Sequence, residues 1–390
     1  MPDLSTAVRA AVADLADELT AFRRDLHAHP ELSWAETRTT GLVAARLEQA
    51  GARVELLPTS GLVADIGPAD GPRVALRADL DALTVDDRTD DPWRSTVPGV
   101  AHACGHDVHT TALLGAGLAL ASYADRLDRG VRLLFQPAEE VMPGGALALV
   151  SAGALAEVAE IFMLHCDPSL DVGEVGLRVG ALTAAADALE VRLTGRGGHT
   201  SRPHLTEDLT FALGKLVTEL PAVLSRRLDP RAGVSLVWGL VQAGSAMNVI
   251  PSTGRAAGTV RMLDAQAWAG AEKLVRSVTD ELMAPYGVLV EVSYSQGVPP
   301  VVNTPEAAER LAAGVVATLG PAGLVPTAQS LGGEDFAWYL EHVPGAMARL
   351  GTRTPGGPAY DLHRGDLRID ERAVVIGAQV LASTAVGAGT

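Results

Sequence analysis

The sequence predicts an α/β protein, a mainly parallel sheet with helices around it, interrupted by a smaller α+β unit. Three observations carry that expectation. Apolar runs of strand length alternate with segments of helical periodicity at both ends of the chain. The middle changes to the order β-α-β-β-α-β of a ferredoxin-like unit. Successive apolar strands also turn polar where they end, delivering Asp79 and Asp81, then Glu139 and Glu140, then His165. Side chains at the strand ends of an α/β sheet line its active crevice.

Residues 5 to 26 carry apolar side chains at helical spacing and predict an opening helix. A second helix follows Pro30 over 36 to 50 and is closed by Gly51. RVELL, GLVADIG and RVALRADLDAL are strands, the third apolar until Arg77. TTALLGAGLALASYA predicts a buried helix, VRLLFQPAEE a strand stopping at Pro137, and EIFMLHCDP a strand ending in His165. In the middle, ADALEVRLTG, GVSLVWGLVQAG, NVIPSTGRAAGTVRML and VLVEVSYSQ are strands, and LTFALGKLVTELPAVL and AWAGAEKLVRSVTDELMAPYG are helices. The expected division is a discontinuous larger domain, 1–182 and 296–390, with a smaller one inserted over 183–295. The last segment resumes the α/β pattern with helix TPEAAERLAAGVVATLG, loop QSLGGEDFAWYL, strand AMARLG, loop YDLHRG and a final helix near 370 to 386.

Bulk properties narrow the function. A chain of 390 residues is long for one core, which favours two domains. With 47% hydrophobic residues it buries a large interior. The formal net charge of −16 argues against nucleic acid or an anionic membrane as partner and favours an enzyme. Two cysteines make no disulfide framework, which suits a reducing, cytoplasmic setting. The first residues show no basic stretch leading into an apolar core, and no run is long enough to span a membrane.

Chemistry concentrates in Ala101–His109, AHACGHDVH, where one cysteine, three histidines and an aspartate replace the apolar residues of an ordinary core segment. Cys104 and His106 flank a single glycine, so both side chains can face one point. A thiolate, imidazoles and carboxylates suit a borderline ion such as Zn, Mn, Co or Ni. In chain order the candidate ligands are Cys104, His106, Glu139, Glu140, His165 and His363. Each alone also reads as a buried thiol, a hydrogen-bonded histidine or a solvated acid. Together they are the number that two neighbouring divalent ions need, and such sites hydrolyse amides or esters. The adjacent glutamates fit a division of labour in which one binds metal and the other takes a proton from water. A redox role for Cys104 lacks a second cysteine at C-x-x-C spacing.

FRRDLHAHPELSWAE, LRADLDAL, HACGHDVHTTALLGA, LFQPAEE, GGHTSRPH, NVIPSTGRAAGTVR, GGEDFAWYL and LHRGDLRID occur in this order along nearly the whole chain. Together they resemble the M20 metallopeptidase/amidohydrolase family and, within it, the hippurate hydrolase and auxin–amino acid conjugate hydrolase branch. The resemblance implies a metallohydrolase catalytic domain interrupted by a ferredoxin-like lid or dimerisation domain. It implies cleavage of N-acyl-L-amino acids by two divalent ions per subunit, in a homodimer formed through the inserted domain. A dipeptidase or aminoacylase of the same family, and a binding protein that keeps the fold without catalysis, are the alternatives.

Carried onto this chain, the resemblance makes Cys104, His106, Glu140, His165 and His363 the metal ligands and Glu139 the general base. Relatives outside the branch place their first ligand on an H-x-D motif in the third strand. The matching place here reads Asp79-Leu80-Asp81, so Cys104 supplies the ligand and Asp81 orients one from behind. His199, in the inserted domain, would stabilise the oxyanion in the partner subunit's site, its other reading being a loop histidine that caps a helix. Asn248 and Arg261 would clamp a substrate carboxylate, although Arg261 also reads as an ordinary strand-end charge. Glu334 is a candidate substrate contact. His27, His29, His102 and His109 are left to structure, His109 as a support for the metal loop, and Cys166 reads as a buried thiol. Closure of the inserted domain over substrate, about hinges near 181–184 and 294–298, is expected as well.

Overall fold

The apolar runs of the first and last thirds of the chain assemble into one eight-stranded sheet. In chain order its strands are β1 (Arg53–Leu56), β2 (Leu62–Ile66), β3 (Arg73–Asp79), β4 (Val131–Gln136), β5 (Val158–Asp171), β6 (Val175–Leu177), β7 (Leu324–Pro326) and β8 (Gly345–Arg353). They lie in the order β1-β2-β4-β3-β5-β8-β6-β7. The central four, β4, β3, β5 and β8, run parallel, and β2 and β6 flank them antiparallel. Parallel strands covered on both faces need apolar residues at nearly every position, which is why these four read as continuous hydrophobic runs. The computed structural model that gives this arrangement describes residues 3–387; the outermost residues of the expected larger domain, 1–2 and 388–390, lie outside that span.

The chain divides into two compact units. The first comprises Met1–Gly180, Val302–Ala328 and Trp338–Thr390, and contains the large sheet. Its central helix, His106–Ala121, is buried at every position from His106 to Leu120. An apolar pattern on all faces demands such a place. The helix lies among strand β3 and the helices Leu4–Asp14, Ala16–Ala28 and Arg372–Val386.

The second unit, Ala181–Val301 with Gln329–Ala337, holds a four-stranded antiparallel sheet. Its strands Ala185–Thr194, Ser235–Ala243, Thr253–Met262 and Leu289–Val298 lie in the order second, third, first, fourth, the ferredoxin-like arrangement. Helices Leu209–Arg227 and Ala271–Met283 pack against each other and against this sheet. Asp187 on the first strand is buried and accepts hydrogen bonds from Trp268 Nε1 (3.0 Å), the Gly297 N–H (2.9 Å) and the Tyr294 hydroxyl.

Three local departures from the sequence reading have physical reasons. The opening helix is two helices, Leu4–Asp14 and Ala16–Ala28, because the Leu15 N–H reaches back only three residues, to Val12 O at 3.1 Å, and tightens the turn. The helix expected over AWAGAEKLVRSVTDELMAPYG breaks at Gly270 into Ala265–Ala269 and Ala271–Met283. Strand β5 does not stop at His165 but continues to Asp171, carried on by its pairing with β8. His165 is nevertheless level with the end of β3, since the paired residues Arg77 and Met163 each lie two positions before Asp79 and His165. Among the described residues no helix is long and apolar enough to cross a membrane.

Glycine tests the helix packing. Gly41, within helix Thr37–Gln49, has nothing within 4 Å of an added Cβ. A Cβ on Gly314 would stand 2.3 Å from Thr384 Oγ1 and 3.0 Å from Thr384 N on the final helix. Gly41→Ala should therefore raise the thermal midpoint, through about 0.5–1 kcal/mol of helix propensity. Gly314→Ala should lower it, by about 1–3 kcal/mol of overpacking. Melting curves followed by circular dichroism read both, and a rise in both would show that helices Pro305–Leu319 and Arg372–Val386 are not in close contact.

Candidate metal centre

Gly105 brings the first two donors together. Its left-handed φ of +87° turns the chain directly into the helix that begins at His106, and an added Cβ would stand 2.9 Å from Cys166 Sγ on β5. Only glycine fits this turn against the strand, and the turn presents Cys104 and His106 to the face where His165 lies. Cys104 Sγ is 3.6 Å from His165 Nε2.

Each imidazole is oriented by a backbone carbonyl or a backbone bond. His106 Nδ1–H donates to Asp81 O (2.9 Å), which leaves Nε2 facing Glu140 Oε1 at 3.8 Å and Asp79 Oδ2 at 3.7 Å. His165 Nδ1–H donates to Cys166 O (2.8 Å), leaving its Nε2 lone pair toward Cys104. His363 is held through its N–H on Ala103 O (2.7 Å) at a left-handed φ of 62°, and its Nε2 lies 3.3 Å from Glu140 Oε1. The His363 side chain is 54% exposed, so the cluster opens to solvent on that side.

The loop bearing Glu139 and Glu140 is held by two buried carboxylates. Asp81 Oδ1 accepts the Glu139 N–H and Oδ2 the Glu140 N–H, both at 3.0 Å, and Oδ2 also takes the Ser33 hydroxyl at 2.7 Å. Glu36 Oε1 accepts the Ala138 N–H at 2.7 Å, and Oε2 the Ser60 hydroxyl at 2.6 Å. Three consecutive N–H groups thus point at acids, which turns the glutamate side chains away from that surface. Burial raises the Glu36 carboxyl above the usual range. Burial acts the same way on Asp81, but its hydrogen bonds with His106 and Ser33 outweigh that and leave it lowered.

Beneath the cluster, Asp79 joins Arg77 and His109. Arg77 Nη1 donates to Oδ2 (2.7 Å) and His109 Nδ1–H to Oδ1 (2.7 Å), while His109 Nε2 accepts the Cys166 N–H (2.7 Å). These bonds bridge the two strands that carry the site, with His109 between Asp79 and the Cys166 N–H.

These residues fit divalent cations. Cys104, His106 and His165 offer donor atoms within 4.8 Å of one another, and so do Cys104, Glu140 and His363, and His106, Glu139 and Glu140. His106 Nε2 and Glu140 Oε1 are buried with no hydrogen-bond partner, an expensive condition unless something else binds them. Burial opposes charge on His106, yet the Asp79 carboxylate outweighs it and raises the ring well above the histidine range. Burial pushes the Cys104 thiol up to about 12. A negative field thus holds a proton where a metal ion would sit, and only a cation would make Cys104 a thiolate.

The structure brings together all the expected ligands, Cys104, His106, Glu140, His165 and His363, with Glu139 and Asp81, in the first unit. The other candidates lie in the second unit. His199 pairs with Val249 in a two-residue ribbon, next to Asn248, whose carbonyl accepts the Thr200 N–H at 3.3 Å. The Ser201 N–H donates to His199 Nδ1 at 3.1 Å, which puts the ring proton on Nε2. Arg261 Nη1 donates to Leu331 O (2.7 Å), and Glu334, buried, accepts the Phe336 N–H (3.0 Å). Sequence reasoning placed Asp79 at a strand end facing the site but gave it no role, and it missed Glu36, which reads as an ordinary acid at a helix start.

Peptidase family M20/M25/M40 matches residues 75–386 of this chain. A Rhodococcus jostii (strain RHA1) protein whose name is that of a glutamate–cysteine ligase 2-3 is 50% identical over 93% of this chain, which spans only 46% of that relative's length. N-acetyl-L-cysteine deacetylase of Bacillus subtilis (strain 168) is 37% identical over 93% of this chain and 86% of its own. The crystal structure of the Bacillus subtilis YXEP protein, described as a dinuclear metal binding peptidase from M20 family, superposes with a TM-score of 0.83 at 34% identity, covering 96% of this chain and 98% of that one. By its motifs, its fold and these likenesses, the chain belongs to Peptidase family M20/M25/M40, in its amidohydrolase branch, and is a metal-dependent hydrolase acting on amides.

Proposed function

We propose that this protein hydrolyses the amide bond of N-acyl-L-amino acids, hippurate-like or N-acetyl substrates, to a carboxylic acid and an amino acid. The observation that carries this reading is Glu139, with donor atoms of His106 and Glu140 within 4.8 Å and its backbone fixed by Asp81. Cys104, His106, Glu140, His165 and His363 hold the divalent ions, two per subunit, with Mn, Zn, Co and Ni the candidates. Such ions polarise an amide carbonyl and acidify water.

Glu139 accepts the proton of the attacking water and returns it to the amine nitrogen as the C–N bond breaks. Asp81 keeps that carboxylate in place, and Glu36 fixes the residue before it. His199, with its proton on Nε2, is a donor for the oxyanion of the tetrahedral intermediate. The first unit acts as the catalytic domain and the second as a lid that forms a homodimer and lends His199 to the partner's site. Asn248 and Arg261 bind the substrate carboxylate, Arg261 with the nitrogens left beyond its bond to Leu331 O, and Glu334 shapes the loop beside them.

Glu139→Gln should keep its metal, measured by plasma emission, and lose about 10²- to 10⁴-fold in kcat; near-normal turnover would sink the assignment. Asp81→Asn has one acceptor oxygen for two N–H donors. It should lower kcat/KM or metal affinity about 10- to 100-fold, whereas unchanged values of both would show that Asp81 does not hold the loop. For the reaction itself, the decisive measurement compares hippurate, N-acetyl amino acids and dipeptides. Turnover of the acyl amino acids is expected, and a preference for dipeptides would make the protein a peptidase instead.

A further inference from the structure

One strand residue beside the cluster carries a charge that no acid among the described residues pairs with. Strands β5 and β8 are parallel, and Arg349 is in register with His165. Registered neighbours point to the same face of a sheet. Phe162, Leu164 and Cys166 of β5, with Ala346, Ala348 and Leu350 of β8, belong to the main core, so His165 and Arg349 share the opposite face. Arg349 is only 9% exposed, and among the described residues its side chain makes no hydrogen bond or ion pair. Arg353, four residues on, pairs with Asp171 at 2.6 Å.

A guanidinium stays charged at every working pH and is costly to bury without an acid. The surrounding run, Ala346-Met347-Ala348-Arg349-Leu350, would pack with an apolar residue at this place and no such cost.

We infer that Arg349 is a specificity-determining residue that receives a carboxylate of the substrate, one additional to the α-carboxylate. The preferred substrates are then N-acyl amino acids with a second acidic group, on the acyl chain or on the amino-acid side chain. This rests on the hydrolytic reading above.

The test compares the wild type with Arg349→Met on N-acetyl-L-alanine, N-acetyl-L-glutamate and N-succinyl-L-alanine. One of the two acidic substrates should exceed the neutral one in kcat/KM by about 10- to 100-fold in the wild type, and the variant should lose that advantage while its neutral rate stays within about threefold. Which acidic substrate is affected tells on which side of the amide the carboxylate lies. Equal losses on all three substrates, or no acidic preference in the wild type, overturn the inference. Calorimetry with glutarate and butyrate separates it from the reaction. Glutarate should bind the wild type about tenfold more tightly than butyrate, and Arg349→Met should erase the gap. An unchanged gap overturns the inference whether or not any amide is cleaved, while absence of all turnover with the gap intact in the wild type and erased in the variant refutes only the hydrolytic reading. Arg349→Lys, which keeps the charge, should retain part of the preference should the methionine variant fail to fold.

Discussion

Asp81 ties the metal cluster together because a carboxylate cut off from water must find its donors in the protein. At 1% exposure its two oxygens take the Glu139 and Glu140 N–H groups and the Ser33 hydroxyl, and its own carbonyl takes the His106 ring. One residue, two positions beyond the end of β3, therefore sets both the loop after β4 and the imidazole at the start of the central helix. Glu36 extends the same device to Ala138, whose left-handed backbone (φ 54°) would otherwise have little to hold it. An irregular loop acquires the definition of a strand without pairing in the sheet. The general-base role proposed for Glu139 needs such definition, since proton transfer is lost when the carboxylate strays from the water.

The second layer of acids explains why this rigid cluster attracts cations. Asp79 is fully enclosed, which alone would favour its neutral form, yet His106, His109 and Arg77 hold it well below the carboxylate range. Its charge sits directly under His106 and keeps that ring protonated when no metal competes. On the far side of the same helix turn, Asp107 is buried against Arg23 Nε (2.7 Å) and His27 Nδ1 (2.8 Å), and faces the positive end of the helix. Buried acid pairs of this kind contribute little to stability on their own. Here they fix the orientation of the loop that carries Cys104 and His106, and they set the sign of the field.

Much of this was legible in the sequence because the chemistry sits on residue types that apolar segments do not otherwise carry. Cys104-Gly105-His106 and Pro137-Ala138-Glu139-Glu140 stood out for that reason, and the strands that deliver them were visible as apolar runs. The β-α-β-β-α-β middle was legible through strict alternation, as in the strand Ala185–Thr194, where every second residue is buried. What was hidden depends on partners distant in the chain. The break at Leu15 carries no glycine or proline, the length of β5 past His165 is set by pairing with β8, and Glu36 becomes a buried anchor only when Ser60 and Ala138 meet it. Arg349 is hidden in the same way. A single arginine in AMARLG gains meaning only when the register with His165 is known.

The way the donors are anchored also says where substrate preference can change. The ring orientations of His106 and His165 rest on the carbonyls of Asp81 and Cys166, and His363 is placed by its own N–H on the carbonyl of Ala103. Main-chain partners survive the substitution of neighbouring side chains, so the metal geometry is insulated from most sequence change around it. The face of β8 is not part of that scaffold, because Arg349 holds no ligand and supports none by hydrogen bonding. A change there alters the charge and shape beside His165 and leaves the donor atoms where they are. Chemistry and recognition are thus carried by different kinds of support in the same unit. Backbone anchors keep the donor geometry constant, and strand-face side chains are free to vary beside it.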